Sequence, residues 1–304
     1  MKSSDLRNVV LLGHGGMGKT SLAEAMLYNA GAIDRLGRVS DGNTVLDCDP
    51  EEVRRKASVS LATAPFDWRG STVNIIDTPG YFDFAGEMLE AVSVVDSAVI
   101  VVSSTMTVGT EKAWEFANSR NIPRVIFVNK MHDETADFDK IYAELKEMLG
   151  KPCVALQLPI RKNGKLVGVV DGITLQARVF DNFGNLVDGE LPADMVEKAE
   201  AIHLNLSEIV AETDNELMEK FFGGERFTRE EIIKGLKVAI NNCTCAPVLL
   251  GSSYENIGVK KLMDFIVDYM PSPLERTILD YTDADGNPQQ MKPDPDGHPT
   301  LFVY

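Results

Sequence analysis

The chain has 304 residues, 44% of them hydrophobic and 25% charged, and a formal net charge of −16. That length and apolar content support one large domain or two smaller ones with a real core, and exclude wholesale disorder. The acidic balance disfavours a broad surface wrapped around DNA or RNA, and no stretch approaches the ~20 apolar residues of a membrane span.

Residues 8–12 form a short apolar run of β type that ends in glycine, and 19–30 place Leu22, Ala23, Met26 and Leu27 at helical spacing. Between them lies Gly13-His14-Gly15-Gly16-Met17-Gly18-Lys19-Thr20. Strand, glycine loop and helix are the parts of a phosphate-binding unit. Gly13 and Gly18 let backbone N–H groups curl around phosphate oxygens, Lys19 brings charge to the β- and γ-phosphates, and Thr20 offers a hydroxyl to Mg²⁺. The following helix points its N-terminus at the anion. Gly15, Gly16 and Met17 read equally as loop filler.

The alternation continues along the chain. Residues 72–76 read as a strand ending in Asp77-Thr78-Pro79-Gly80, 84–95 as a helix, 98–102 as a buried strand and 110–119 as a helix. Then come a strand at 124–128 followed by Asn129-Lys130, and a helix at 137–148. A carboxylate at the end of a strand, as at Asp77, can hold a magnesium hydration shell, and Gly80 can turn its N–H to a γ-phosphate. The pattern changes at 157–180, which is rich in β-branched residues and carries the turn signals Asn163-Gly164 and Asp171-Gly172. Residues 191–222 read as acidic amphipathic helix and 228–241 as another helix. A core strand at 247–250, the turn Gly251-Ser252-Ser253 and a helix at 259–270 return to the earlier style. From Pro271 the chain is rich in Pro, Asp and Gly, as linkers are, and 299–304 is strand-like.

These elements predict an α/β chain of the P-loop NTPase class: a doubly wound, mainly parallel sheet with an inserted α+β subdomain. The expected division is a nucleotide domain over 1–155 and 246–272, an insert over 156–245, and a linker with the first strand of a truncated second domain over 273–304. Cys48, Cys153, Cys243 and Cys245 lack the paired spacing of a zinc site, so reduced thiols are expected. With no signal peptide at the start, a cytoplasmic protein is expected. Trp68, Trp114 and the pair Phe221-Phe222 are expected to pack in the interior.

The order GHGGMGKT, DTPG, NK and GSS, with a long insert before the last, resembles the translational GTPases, and elongation factor G in particular. NIIDTPGYFDF, PRVIFVNKM, QLPI with VVDGI, and GVKKLMDFIVDYMPSP also resemble that family, so the likeness covers essentially the whole chain. It implies GTP and GDP as ligands, Mg²⁺ as cofactor, hydrolysis as a conformational switch, and a monomeric piece of a longer factor. It implies that His14, Gly15, Gly16, Met17, Gly18, Lys19, Thr20 and Ser21 hold the phosphates, and that Asn129, Lys130, Ser252 and Ser253 hold the base. Thr20, Asp77 and, from a first switch loop at 36–60, Ser58 would serve the metal. Lys19, Gly80 and Tyr81 would serve catalysis. The partner implied is the ribosome, through its rRNA factor-binding site, with no membrane and no DNA. The acidic helices of the insert read as a solvated face, or, by the resemblance, as a dock for a ribosomal stalk protein.

Three departures stand out. Tyr81 replaces the family's water-positioning His. Gly15-Gly16-Met17 replaces Ile-Asp-Ala, and Ala57 replaces an Ile, which removes apolar gate residues and a carboxylate near the phosphates. His132 stands where a guanine-reading Asp is expected, with Asp133 one position on. Two other readings therefore stay open: a degenerate switch that binds GTP with little hydrolysis, and a ribosome-protection or termination factor that shares this domain.

Overall fold

The computed structural model describes residues 2–150, 152–181, 185–276, 279–283 and 285–291, with Asp294 and Gly297. In chain order the first half holds β1 (Leu6–Leu12), α1 (Lys19–Asn29), α2 (Pro50–Arg55), β2 (Ala62–Trp68), β3 (Ser71–Asp77), α3 (Ala85–Ser93), β4 (Ser97–Val102), α4 (Val108–Ser119), β5 (Arg124–Val128), α5 (Phe138–Leu149) and β6 (Cys153–Ala155). The second half holds β7 (Gln157–Lys162), β8 (Lys165–Asp171), β9 (Gln176–Phe180), β10 (Leu186–Asp188), α6 (Val196–Ala211), α7 (Asn215–Phe222), α8 (Arg229–Asn241), β11 (Ala246–Leu250) and α9 (Val259–Tyr269).

Seven strands form the main sheet in the order β2-β3-β1-β4-β5-β11-β6. Every pairing is parallel except β2 with β3. Parallel strands buried on both faces need continuous apolar runs, and all six residues of β4 are buried. The two-residue strand period sorts side chains to opposite cores. Val9 and Leu11 pack with α1, α8 and α9, whereas Val10 and Leu12 pack with α3, α4 and α5. Helix α1 follows β1 to one face and α3 follows β3 to the other. The carboxyl ends of β1 and β3 therefore border a topological switch point, where open α/β sheets place their ligands.

The insert adds a second sheet, β10-β9-β8-β7, antiparallel throughout. Its first hairpin turns at Asn163 (φ 53°) and Gly164 (φ 78°), a pair of left-handed residues that suits the strand twist. Leu206 and Val210 of α6 and Leu236 of α8 share one core with α1 and α9, so the insert's helices pack back on the main sheet. After them β11 re-enters between β5 and β6.

Several expectations need correction. The stretch expected as an open switch loop contains α2, which starts at Asp49 with a reciprocal capping box to Glu52. Strand β2 has no counterpart among the elements expected from the sequence. It lies at the sheet edge, where Pro65 costs no interior ladder bond. The helical run at 191–222 is broken, because Asp214 caps the start of α7 by accepting from the Glu216 N–H. Within the expected linker, Leu279–Thr282 and Pro288–Met291 pair as an antiparallel hairpin; the strand expected at 299–304 lies outside the described residues. Phe221 packs against the core, but Phe222 is 80% exposed. Trp68 is partly buried, with its Nε1 donating to Asp264 at 2.9 Å, and Trp114 carries the Arg124 guanidinium 4.5 Å from its ring centre. Among the described residues no helix is long and apolar enough to cross a membrane.

Candidate nucleotide site

The loop between β1 and α1 is fixed by glycine. Gly18 precedes the first residue of α1 at φ 93°, a left-handed conformation, and a Cβ there would lie 2.5 Å from Asn129 Nδ2. The first N–H groups of α1 have no carbonyl of an earlier turn to bond, so they face the loop as an anion-binding end. Lys19 is 5% exposed and donates from Nζ to the carbonyls of Gly13 (2.9 Å) and His14 (3.2 Å). Burial lowers its pKa to about 8, opposed by the nearby carboxylates of Asp77 and Asp47. A cation so held, with only backbone oxygens as hydrogen-bond partners, suits a phosphate as its strong partner.

Beneath the loop lies a cluster of oxygen atoms. Thr20 Oγ1 donates to Asp77 Oδ2 at 2.6 Å and lies 3.1 Å from Ser58 Oγ, which donates to Asp47 Oδ1 at 2.7 Å. Asp77 is 1% exposed and Asp47 4%. Burial pushes the Asp77 carboxyl up to about 7 and raises that of Asp47 as well. One oxygen of each, Asp77 Oδ1 and Asp47 Oδ2, is buried without a hydrogen-bond partner. Two hydroxyls and two half-satisfied carboxylates are hard oxygen donors of the kind that suit Mg²⁺, directly or through water. Among the described residues no group of three or more acidic, His or Cys side chains could cage a metal. The cluster thus fits an ion that takes its remaining ligands from phosphate and water, as Mg²⁺ does.

Gly15, Gly16, Gly18, Lys19, Thr20, Ser21, Ser58, Gly80, Tyr81 and Lys130 all line one cavity of about 280 Å³, with Asp47 and Ala57. Gly80 approaches so closely that its carbonyl accepts from the Gly15 N–H at 2.9 Å. A Cβ on Gly15 would lie 2.9–3.1 Å from three atoms of the Tyr81 ring. The missing side chain at 15 is therefore the space that Tyr81 occupies. His14 does not line the cavity; its ring stands edge-on to Tyr81, with centroids 6.3 Å apart. Met17 is buried, and its sulfur accepts from Ser103 Oγ at 2.9 Å.

On the other side of the loop, Asn129 joins three segments. Its Nδ2 donates to the Met17 carbonyl (2.9 Å) and to Ser253 Oγ (3.0 Å), and its Oδ1 accepts from the Ser253 N–H (2.9 Å). Lys130 Nζ reaches the Gly16 carbonyl at 2.6 Å. His132 Nδ1 meets Ser252 Oγ at 2.7 Å and its ring stacks on Tyr254. Asp133 is turned away: its Oδ1 accepts from the Thr135 N–H (2.9 Å) and Oγ1 (2.8 Å).

Sequence reasoning missed Asp47, Glu24, Tyr254, Arg38 and Arg161. Glu24 lies inside α1, where its Oε1 accepts from the N–H groups of Val45 (2.7 Å) and Leu46 (3.2 Å), which places Asp47. The Arg38 guanidinium lies 3.8 Å from the Tyr254 ring centre. No motif marks these residues, and only a buried acid inside an apolar helix stripe, as at Glu24, could have drawn notice.

Comparison with known proteins agrees with this geometry. The family described as the elongation factor Tu GTP binding domain matches residues 4–272. The chain is 35% identical over 293 residues to an elongation factor G of Ureaplasma urealyticum serovar 10, covering 95% of this chain and 43% of that protein. A crystal structure of a Thermus thermophilus protein superposes with a TM-score of 0.84 at 35% identity, covering 90% of this chain and 42% of that one. The chain thus spans less than half the length of either relative. By its mainly parallel sheet, its glycine loop and these matches, the chain belongs to the elongation factor Tu GTP-binding domain family, as a translational GTPase domain of elongation factor G type.

Proposed function

We propose that the chain is the GTP-binding, GTP-hydrolysing switch of a cytoplasmic, ribosome-associated factor of elongation factor G type. Residues 1–155 and 246–272 act as its nucleotide domain and 156–245 as an insert, and the chain works as a monomer. The observation that carries this reading is the oxygen cluster of Thr20, Ser58, Asp47 and Asp77 beneath a loop with a buried lysine.

Lys19 and the N–H groups from His14 to Ser21 hold the β- and γ-phosphates. Thr20 and Ser58 are the hydroxyls that would bind magnesium, with Asp77 and Asp47 holding its water. The ion, when bound, neutralises charge on the β- and γ-phosphate oxygens. Gly80 releases the Gly15 N–H and turns its own toward the γ-phosphate. Tyr81 orients a water that attacks the γ-phosphorus as the bond to the β-phosphate oxygen breaks, giving GDP and phosphate. Asn129, Lys130, His132, Ser252 and Ser253 hold the base. Loss of the γ-phosphate frees the segments of Ser58 and Gly80, which is the switch.

The test is phosphate release from GTP, measured with and without ribosomes and with Mg²⁺ or EDTA. Ribosome-stimulated, Mg²⁺-dependent turnover is expected; no release above background in any arm overturns the reading. A second reading, a switch that binds GTP with little hydrolysis, is favoured by the packing of Tyr81 into the space left at Gly15.

A further inference from the structure

We propose that the base pocket takes purine nucleotides without reading the 2-amino group, so that guanine and hypoxanthine nucleotides bind alike. This rests on the nucleotide reading above and deepens it.

Guanine presents two donors side by side, N1–H and the 2-amino group, next to the O6 acceptor. Hypoxanthine keeps N1–H and O6 and lacks only the amino group. To separate the two, a site needs an acceptor at the 2-amino group, and an ionised carboxylate supplies it together with a second for N1–H. The residues that could supply one are committed elsewhere. Both functions of the Asn129 amide are spent on Met17 and Ser253. One oxygen of Asp133, Oδ1, serves both the N–H and the hydroxyl of Thr135, so the carboxylate does not present a free pair. Its backbone is pinned as well, because Arg161, reaching across from β7, donates to the carbonyls of Met131 (3.0 Å), Asp133 (3.2 Å) and Gly164 (2.5 Å). For Asp133 to take the place of His132, its Oδ1 has to leave Thr135 and its backbone has to shift against the Arg161 bonds.

His132 stands where the family resemblance places a guanine-reading Asp, and it offers the wrong polarity. Ser252 Oγ already accepts from the Glu255 N–H at 3.1 Å, so its single hydrogen is available to His132 Nδ1 at 2.7 Å. The assignment that gives this hydrogen a partner has Nδ1 accept and Nε2 carry the proton, which leaves the ring no free acceptor for the donors of guanine. The ring is held in place by stacking on Tyr254, with 5.4 Å between centroids and 20° between planes. His132 is thus the specificity-determining residue, Ser252 sets its polarity, and Arg161 is a positioning residue.

The experiment is isothermal titration of the chain with GDP and with IDP in Mg²⁺, for the parent, His132→Asp and Arg161→Ala. The parent is expected to bind the two within about threefold. His132→Asp supplies paired acceptors and is expected to favour GDP over IDP by roughly tenfold or more, the worth of one charge-assisted hydrogen bond. Arg161→Ala unpins Asp133 and is expected to move the ratio the same way by a smaller factor. A parent that prefers GDP more than about tenfold overturns the proposal without any variant. A folded His132→Asp protein with an unchanged ratio overturns the assignment to His132. If neither diphosphate binds the parent, the nucleotide reading itself falls, and this one with it.

Discussion

Replacing Asp77 by Asn separates what this residue costs the fold from what it gives the site. The carboxyl is lifted from 3.8 to about 7, chiefly by burial, with Lys19 and the Thr20 hydroxyl acting in the opposite direction. Each step of one in pKa is worth about 1.4 kcal/mol, so at pH 8 the buried charge costs the ligand-free fold about 4 kcal/mol. Because the folded pKa lies above the unfolded one, the folded chain keeps a proton that the unfolded chain has already released. Stability therefore falls as pH rises from about 4 to about 7, and stays low above that. Asn keeps the shape and can still pair with the Thr20 hydroxyl. The gain is about 4 kcal/mol at pH 8, or roughly 6–8 °C in Tm for a chain of this size, falling to about 2 kcal/mol at pH 5 and below about 1 kcal/mol at pH 4. Thermal melts in EDTA without nucleotide at pH 8 and pH 5 measure it. The same protein should lose at least roughly tenfold in Mg²⁺-dependent GDP affinity, since a metal-facing charge is gone. An Asp77→Asn protein that melts below the parent at pH 8, or whose gain does not shrink at pH 5, refutes the argument.

Further outcomes are expected. Tyr81→His should raise ribosome-stimulated phosphate release by roughly tenfold or more, as an added general base or water-orienting group does, with GDP affinity unchanged within error; an unchanged rate counts against the weak-hydrolysis reading. Gly15→Ala should displace the Tyr81 ring, whose atoms lie 2.9–3.1 Å from the new Cβ, and change turnover more than binding in single-turnover assays. Gly18→Ala should abolish GDP binding in calorimetry, because a left-handed φ of 93° and the Asn129 amide both oppose a side chain there. Glu24→Ala should cost about 1–3 kcal/mol by leaving the N–H groups of Val45 and Leu46 unpaired, and hydrogen exchange should quicken at those amides first.

The parallel strands were legible because burial on both faces writes unbroken apolar runs, as in β4 and β5, and glycine punctuates them. The glycine loop was legible for the same reason: Gly18, Lys19 and Thr20 act through local backbone geometry at a strand–helix junction. Strand β2 was not legible. Its sequence, Ala-Thr-Ala-Pro-Phe-Asp-Trp, carries a proline that reads as a break, and only a place at the sheet edge makes it a strand. The run at 191–222 misled because its composition stays helical across a break that one capping aspartate makes.

At the site, the sequence by itself determined the phosphate-type loop, since one local motif carries its glycines, its lysine and its hydroxyl. Tertiary structure alone decided the rest. Asp47 and Ser58 meet Thr20 and Asp77 because Glu24 anchors residues 45 and 46 from inside α1, a contact across 21 positions of chain that no periodicity encodes. Asp133 is adjacent in sequence to His132 but is turned to Thr135, and the arginine bonded to its backbone carbonyl comes from the inserted sheet. Motifs specify the groups whose geometry is set within a few residues. Which carboxylate faces a ligand is set by long-range packing and by the cost of leaving buried polar atoms unpaired.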